Sequence, residues 1–400
     1  MRSDSSPLIH RLRLMPRALW VLCAGSFINR FGTFVLPFIL LYMTRLGFSP
    51  TQAGWAMGAY GIGRCLASLL GGWLADRIGR KGTIVFSTLS GAAMMMVLSQ
   101  VKTFELFILT ATLTGATAEM FGPAGHALVA DLVPPPLRVT AFGALRLAIN
   151  AGFAFGPAVA GWLATRSFFW LFVGDAATTL IFGLVAWRLL PSGHLHPKSD
   201  AHWRDDLDQV IHDRSLQLLW IATAAIAIVF FQTNSSFALH VKASGFDPQT
   251  YGNLCAMNGV MIVLFELPLT QLTQRVRPEW TMALGYMVMG LGFGLNALGS
   301  TLTYLVASMM VLTLGEMLNA PYSAAFAAEL APPHLRGRYM GVQSMAWTQA
   351  FIVAPILGTQ LYHSKPDLLW GGSVGVGLLS AALMLRLARR RNKRDLIQSE

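Results

Sequence analysis

Ala130-Asp131-Leu132-Val133-Pro134-Pro135-Pro136-Leu137-Arg138 returns 198 residues later as Ala328-Glu329-Leu330-Ala331-Pro332-Pro333-His334-Leu335-Arg336. Each copy closes an apolar run with an acid, turns through prolines and restarts at an arginine. Outward from this stretch the register holds. Gly47-Phe48-Ser49-Pro50 matches Gly245-Phe246-Asp247-Pro248, Pro123 matches Pro321, and Pro157 matches Pro355. A constant offset without insertion marks an internal duplication whose copies run in the same direction. Parallel repeats of membrane helices, related by an axis along the membrane normal, are an architecture of alternating-access carriers.

Composition fixes the solvent. Hydrophobic residues make up 54% of the 400 positions and charged residues 12%, against about 25% charged in soluble domains. Only a bilayer can cover that much apolar surface. Twelve apolar stretches are long enough to span: 18–43, 53–75, 83–101, 105–129, 139–164 and 168–190, then 216–239, 250–273, 280–298, 302–328, 338–362 and 367–388. The expected fold is all-α and polytopic, twelve transmembrane helices in two parallel six-helix repeats. The expected domains are an N-terminal half at 1–190, a cytoplasmic linker at 191–215 and a C-terminal half at 216–400. The linker is polar, with a short amphipathic helix expected over Trp203–Ile211.

With a cytoplasmic N-terminus, the cytoplasmic segments hold 22 of the 30 Lys and Arg. The other side holds five (Arg45, Lys102, Arg166, Lys242 and Lys365), and Arg30, Arg64 and Arg146 fall inside spans. This asymmetry places both termini in the cytoplasm. The net charge of +11 is spread over inner loops and the Arg386–Arg394 tail, where it suits anionic lipid heads. Nucleic-acid binding needs a basic face on a folded soluble domain, and no stretch is left to build one. Cys23, Cys65 and Cys255 lie in separate spans without metal-ligand spacing, so no metal site is expected. The basic N-tail and first apolar run are too long for a signal peptide and lack a small-residue cleavage site, so they read as a retained helix.

Between spans two and three stands Gly72-Trp73-Leu74-Ala75-Asp76-Arg77-Ile78-Gly79-Arg80-Lys81. An acid at a helix end, flanking glycines and three cations suit a breakable latch. Gly72 is expected to let helices approach closely and Gly79 to permit a tight turn. The string resembles the signature of the major facilitator superfamily, G-x-L-A-D-R-x-G-R-K, at every specified position. The resemblance implies that Asp76 meets the start of span eleven and that Arg80 meets the acid closing span four, here Asp131, with Arg77 and Arg138 in the same gating region. A carboxylate at an exposed helix N-terminus is worth about 0.3–1 kcal/mol, enough to bias a gate and too little to lock it. The second copy, Thr270-Gln271-Leu272-Thr273-Gln274-Arg275-Val276-Arg277-Pro278-Glu279, has decayed. Gln274 stands in place of the acid, and a weak C-half latch is expected.

Span five carries Gly152-x3-Gly156-Pro157-x3-Gly161. This is a small-xxx-small packing stripe with a proline kink. It also resembles the Gly-Pro motif of drug–proton antiporters in that superfamily. Where that branch carries an arginine on span four, this chain has Ala111.

Charge at bilayer depth is costly and marks function. Arg30, Arg64, Glu119, Arg146, Asp175, Glu266 and Glu316 are so placed. At 1.5 Å per residue Glu119 lies ~18 Å deep, with Arg30 and Glu316 at ~20 Å and Arg146 at ~12 Å. The family resemblance puts spans one, four, seven and ten around a central cavity. Arg30, Glu119 and Glu316 are therefore the first candidates for proton coupling, Arg146 the next, and Asp175 and Arg64 are expected in structural pairs. The implied function is proton-coupled export of small, amphipathic, drug-like molecules by a monomer in the plasma membrane, the inner membrane in a bacterium. Its partners are the substrate, protons and membrane lipids, with a proton gradient in place of any cofactor. Uptake of metabolites or short peptides is the alternative, and a non-transporting sensor or assembly factor on the same fold is the alternative of another class. No nucleophile–base pair or zinc motif supports an enzyme.

Overall fold

The structure, a computed structural model, describes residues 12–134, 137–191, 210, 212–332 and 335–399. Every regular element among them is helical. Most of the expected Trp203–Ile211 helix lies outside the described residues. Nine helical stretches among those described are long and apolar enough to cross a membrane. The other three expected spans are Pro50–Arg77, the broken span four, and Pro278–Gly294 with its 3-10 extension Leu295–Ala297.

The repeated Gly-Phe-Ser/Asp-Pro has a local cause. Gly47 and Gly245 take φ of +94° and +86°, which glycine adopts without steric cost. Phe48 N–H then donates to Met43 O at 3.1 Å and Phe246 N–H to Val241 O at 3.2 Å, closing the helix in a Schellman motif. The next residue starts the following helix. Ser49 Oγ accepts from Gln52 N–H while Gln52 Oε1 accepts from Ser49 N–H, a capping box. Asp247 Oδ1 accepts from Thr250 N–H at 2.8 Å. One short string thus ends the odd-numbered span and opens the even one in both halves.

The chain divides into two compact units, 1–48 with 59–198 and 49–58 with 199–400. Within the first, span one packs on spans five and six, and span three on spans four and six. Within the second, span seven packs on spans eleven and twelve, and span nine on spans ten and twelve. The pairing repeats because the apolar faces were duplicated with the sequence. Buried side chains in the first unit gather around Leu19, Leu22, Ile84, Phe121, Leu128 and Phe182.

Three expected spans are not single helices. Span one is Arg17–Phe31 followed by Val35–Arg45, span four is Phe104–Ala118 followed by Phe121–Leu132, and span seven is Arg214–Phe230, the 3-10 turn Phe231–Asn234, then Ser236–Ala243. The breaks in spans one and seven fall at corresponding positions of the repeat. Broken backbone inside a bilayer survives only where side chains satisfy its freed groups, and here they do. Asp175 takes the N–H of Val35 at 3.2 Å. Ser87 Oγ donates to Thr117 O at 2.6 Å and accepts from Phe121 N–H at 3.0 Å. Gln232 Oε1 accepts from the hydroxyls of Ser235 and Ser236, and its amide donates to Ile228 O and Ala354 O.

Candidate functional site

Arg30 sits in the last turn of the first half of span one, and Glu119 caps the first half of span four. The two breaks therefore deliver a cation and an anion to the same place. Arg30 Nη1 donates to Glu119 Oε1 at 3.1 Å and Nη2 to Oε2 at 2.9 Å, a two-pronged pair of the strong kind. Both side chains are nearly buried, at 15% and 13% exposure. Arg64 Nε lies 3.8 Å from Glu119 Oε1, and the Tyr60 hydroxyl donates to the same carboxylate. The guanidinium also lies 5.2 Å from the ring centre of Phe121 and 5.6 Å from that of Phe153, so aromatic faces share its charge.

A cavity of about 30 Å³ opens beside the pair, lined by Asn29, Thr33, Tyr60, Asp175 and Thr179 among others. It is large enough for a water molecule and polar enough to keep one. Asn29 Nδ2 donates to Thr179 Oγ1 at 2.9 Å across it. Asp175, 6% exposed, uses its carboxylate on the start of the second half of span one.

Span five closes the site from behind. A Cβ at Gly152 would stand 2.8 Å from Phe27 O and 3.0 Å from Arg30 Cβ, and one at Gly156 would stand 2.5 Å from Phe31 O. These two glycines let span five lie directly on the backbone that carries Arg30. Pro157 lies inside the continuous helix Arg138–Arg166.

The candidates separate as follows. Arg30 and Glu119 meet. Arg64, expected in a structural pair, lies beside Glu119, because span two presents it one turn beyond Tyr60. Asp175 serves the break in span one. Arg146 is exposed and does not line the water-sized cavity beside the Arg30–Glu119 pair. Glu316 belongs to the second unit, where Asn258 Nδ2 donates to its Oε2 at 2.8 Å and to Thr313 Oγ1 at 3.0 Å. At the loop, Arg80 Nε donates to Asp131 Oδ2 at 3.4 Å and Nη1 to Ala75 O at 2.9 Å. Arg138 donates to Val133 O and Ala130 O, closing the carbonyl end of span four. Arg77 lies 4.3 Å from the Trp73 ring centre, and the Asp76 side chain is outside the described ones. Gly79 takes φ +82°. The expectation for Gly72 fails: a Cβ there would meet open space, whereas one at Gly71 would stand 2.7 Å from Met120 O. The close-approach face of span two is one residue earlier, 100° around the helix. Sequence reasoning also missed Tyr60 and Asn258, whose side chains carry no depth signal. It missed the breaks as well, although Gly32-Thr33 hinted at the first.

The family model of the Major Facilitator Superfamily matches residues 22–247 and 219–400. The Na(+), Li(+), K(+)/H(+) antiporter of Planococcus maritimus is 24% identical over 85% of this chain and 88% of its own length. Multidrug resistance protein MdtH of Aeromonas hydrophila is 25% identical over 93% of this chain and 96% of its own. Among solved structures, peptide transporter POT in complex with sulfate has a TM-score of 0.79 at 17% identity, over 96% of this chain and 99% of that one. That last likeness is one of fold. With two overlapping matches that cover both repeats, the chain belongs to the Major Facilitator Superfamily and is a multi-pass secondary transporter.

Proposed function

We propose that this transporter exchanges protons for small amphipathic molecules and exports them across the bacterial inner membrane, with both termini in the cytoplasm. The observation that carries the reading is the Arg30–Glu119 pair, set on two helix breaks beside a water-sized polar cavity. Arginine stays protonated in proteins, so within the pair only Glu119 can exchange a proton. A proton on Glu119 removes the carboxylate charge and leaves Arg30 uncompensated at bilayer depth. Breaking a buried pair in this way costs about 3–5 kcal/mol, which favours rearrangement of the broken spans toward a state that offers Arg30 another partner. Substrate binding and proton binding are then alternatives at one site, so that uptake of the proton accompanies release of the substrate, as exchange requires. The names of two relatives, a cation/proton antiporter and a multidrug resistance protein, are consistent with this reading. The halves 1–190 and 216–400 would be the moving bodies and 191–215 their tether. The working unit is a monomer among lipids.

The test is ethidium flux in proteoliposomes with and without an imposed pH gradient. Glu119→Gln should abolish gradient-driven accumulation by at least about tenfold and keep downhill exchange, because the amide mimics the protonated acid. Glu316→Gln, which alters an acid of the second unit bound by Asn258, should retain part of the accumulation. If Glu119→Gln still concentrates the dye, the coupling assignment fails. Gradient-driven dipeptide uptake without dye transport would replace export by import.

A further inference from the structure

The second repeat lost the arginine of its latch. In the first, Arg80 at the start of span three holds Asp131 at the end of span four. Adding 198 to each number gives Pro278 and Glu329, and Lys81 becomes Glu279. The C-half keeps the acid of span ten, gains a second acid on span nine and has no cation in the old place. Two carboxylates at one cytoplasmic rim would repel.

The last helix supplies what the loop lacks. Arg391, on the extension of span twelve, donates through Nη1 to Glu279 Oε1 at 3.4 Å and through Nη2 to Glu329 Oε1. Its guanidinium lies 5.7 Å from the ring centre of Phe326, also on span ten. Glu279 has no exposed side-chain surface and takes a second cation, Arg277, at 3.2 Å. A planar guanidinium presents its two terminal nitrogens to two different carboxylates at once, which an ammonium on a flexible stem does poorly. The position matching Arg391 in the first repeat is Gly193, so this arginine has no counterpart there. By composition alone Arg391 belonged to a basic tail facing lipid heads, whereas in the fold it is held between two acids.

We propose that Arg391 is the relocated latch arginine of the C-terminal half, bridging the cytoplasmic ends of spans nine, ten and twelve and positioning them for the transport cycle. The end of the last helix is thereby part of the gate. This rests on neither the proton coupling nor the substrate class proposed above.

The test follows the conformational equilibrium without substrate or gradient. Spin labels at Trp187→Cys and Leu272→Cys, both exposed and neither of them an ion-pair partner in either latch, report cytoplasmic distances in nanodiscs, in a Cys65→Ser background. Arg391→Ala should change the ratio of the populated distances by at least about threefold, and Arg80→Ala should do the same. Adding Pro278→Arg, which returns the arginine to the register of Arg80, should restore the wild-type ratio. If Arg391→Ala does not fold, Glu329→Gln, which removes an acid that is 48% exposed, should shift the ratio in the same direction. An unchanged ratio in the Arg391 or Glu329 variant overturns the proposal. So does a change that Pro278→Arg leaves uncorrected, since the loss would then be one of packing at the end of the helix.

Discussion

At the scale of single residues, two neighbouring glycines in span two separate identity from use. Gly72 is the one the loop signature specifies, yet a side chain there meets open space, while Gly71 faces the backbone of Met120. Gly72→Ala should therefore be neutral or stabilise by up to ~1 kcal/mol through helix propensity. Gly71→Ala should destabilise by about 1–3 kcal/mol through overpacking. Thermal melts of the two variants in the same detergent check this, and equal melts would remove the contact from the account. Asp247 offers a pH handle outside the spans. The Thr250 hydroxyl, and then its N–H, hold the Asp247 carboxyl below its ordinary value of 3.8. A lowered folded value means the stabilisation is present above the unfolded value and is lost as pH falls through the folded one. Asp247→Ala should cost about 1 kcal/mol at pH 7, and its difference from wild type should shrink steadily below pH 4. A difference constant down to pH 3 would show that the charged cap contributes nothing.

At the scale of elements, the breaks are what put charge into the site, and each is held by a specific side chain. Span one bends at Gly32, where a Cβ would stand 1.7 Å from Thr178 Oγ1, and restarts on the carboxylate of Asp175. Asp175→Ala leaves the Val35 N–H without its acceptor and should cost about 1–3 kcal/mol. Asp175→Asn keeps an oxygen there and should lose clearly less, by the same melts. Span five lies on this bend through Gly152 and Gly156. Gly156→Leu should slow exchange between conformations more than it weakens substrate binding, because the clash is with the backbone of Phe31 rather than with a ligand. Ethidium binding and counterflow rates measured side by side decide it. Weak binding with normal counterflow would move Gly156 into the ligand pocket. The hydropathy pattern read span one as continuous because a break of three residues leaves its average apolarity intact.

At the scale of the whole molecule, the duplication kept the pairing of helices and let the two latches diverge. The N-half holds its latch within one loop and the next span, Arg80 to Asp131, with side-chain exposures of 10% and 11%. A double-mutant cycle of Arg80→Ala and Asp131→Asn, read by thermal stability, should give a coupling of about 1–3 kcal/mol, as for a hydrogen bond to a charged group. Strict additivity would mean that the pair is solvated and holds nothing. The C-half spreads the same task over three spans, and only Arg277 and the acids lie where the register would place a latch. The weak C-half latch expected from Gln274 followed from comparing the loop with itself. It missed a cation that lies 112 residues from Glu279 along the chain.

The sequence by itself determined the solvent, the helical class, the two-fold repeat and the family, because each depends on composition, period or spacing, which are properties of the linear string. Depth along a straight helix, counted at a fixed rise, together with the family resemblance ranked Arg30, Glu119 and Glu316 first. Only the tertiary structure decided which face of each helix meets which neighbour. The displaced contact at Gly71, the recruitment of Arg64 and Tyr60 to Glu119, the capping duty of Asp175 and the reach of Arg391 all depend on it. A helix turns through 100° per residue, so a shift of one position re-aims a side chain. A partner far along the chain leaves no local periodicity to read.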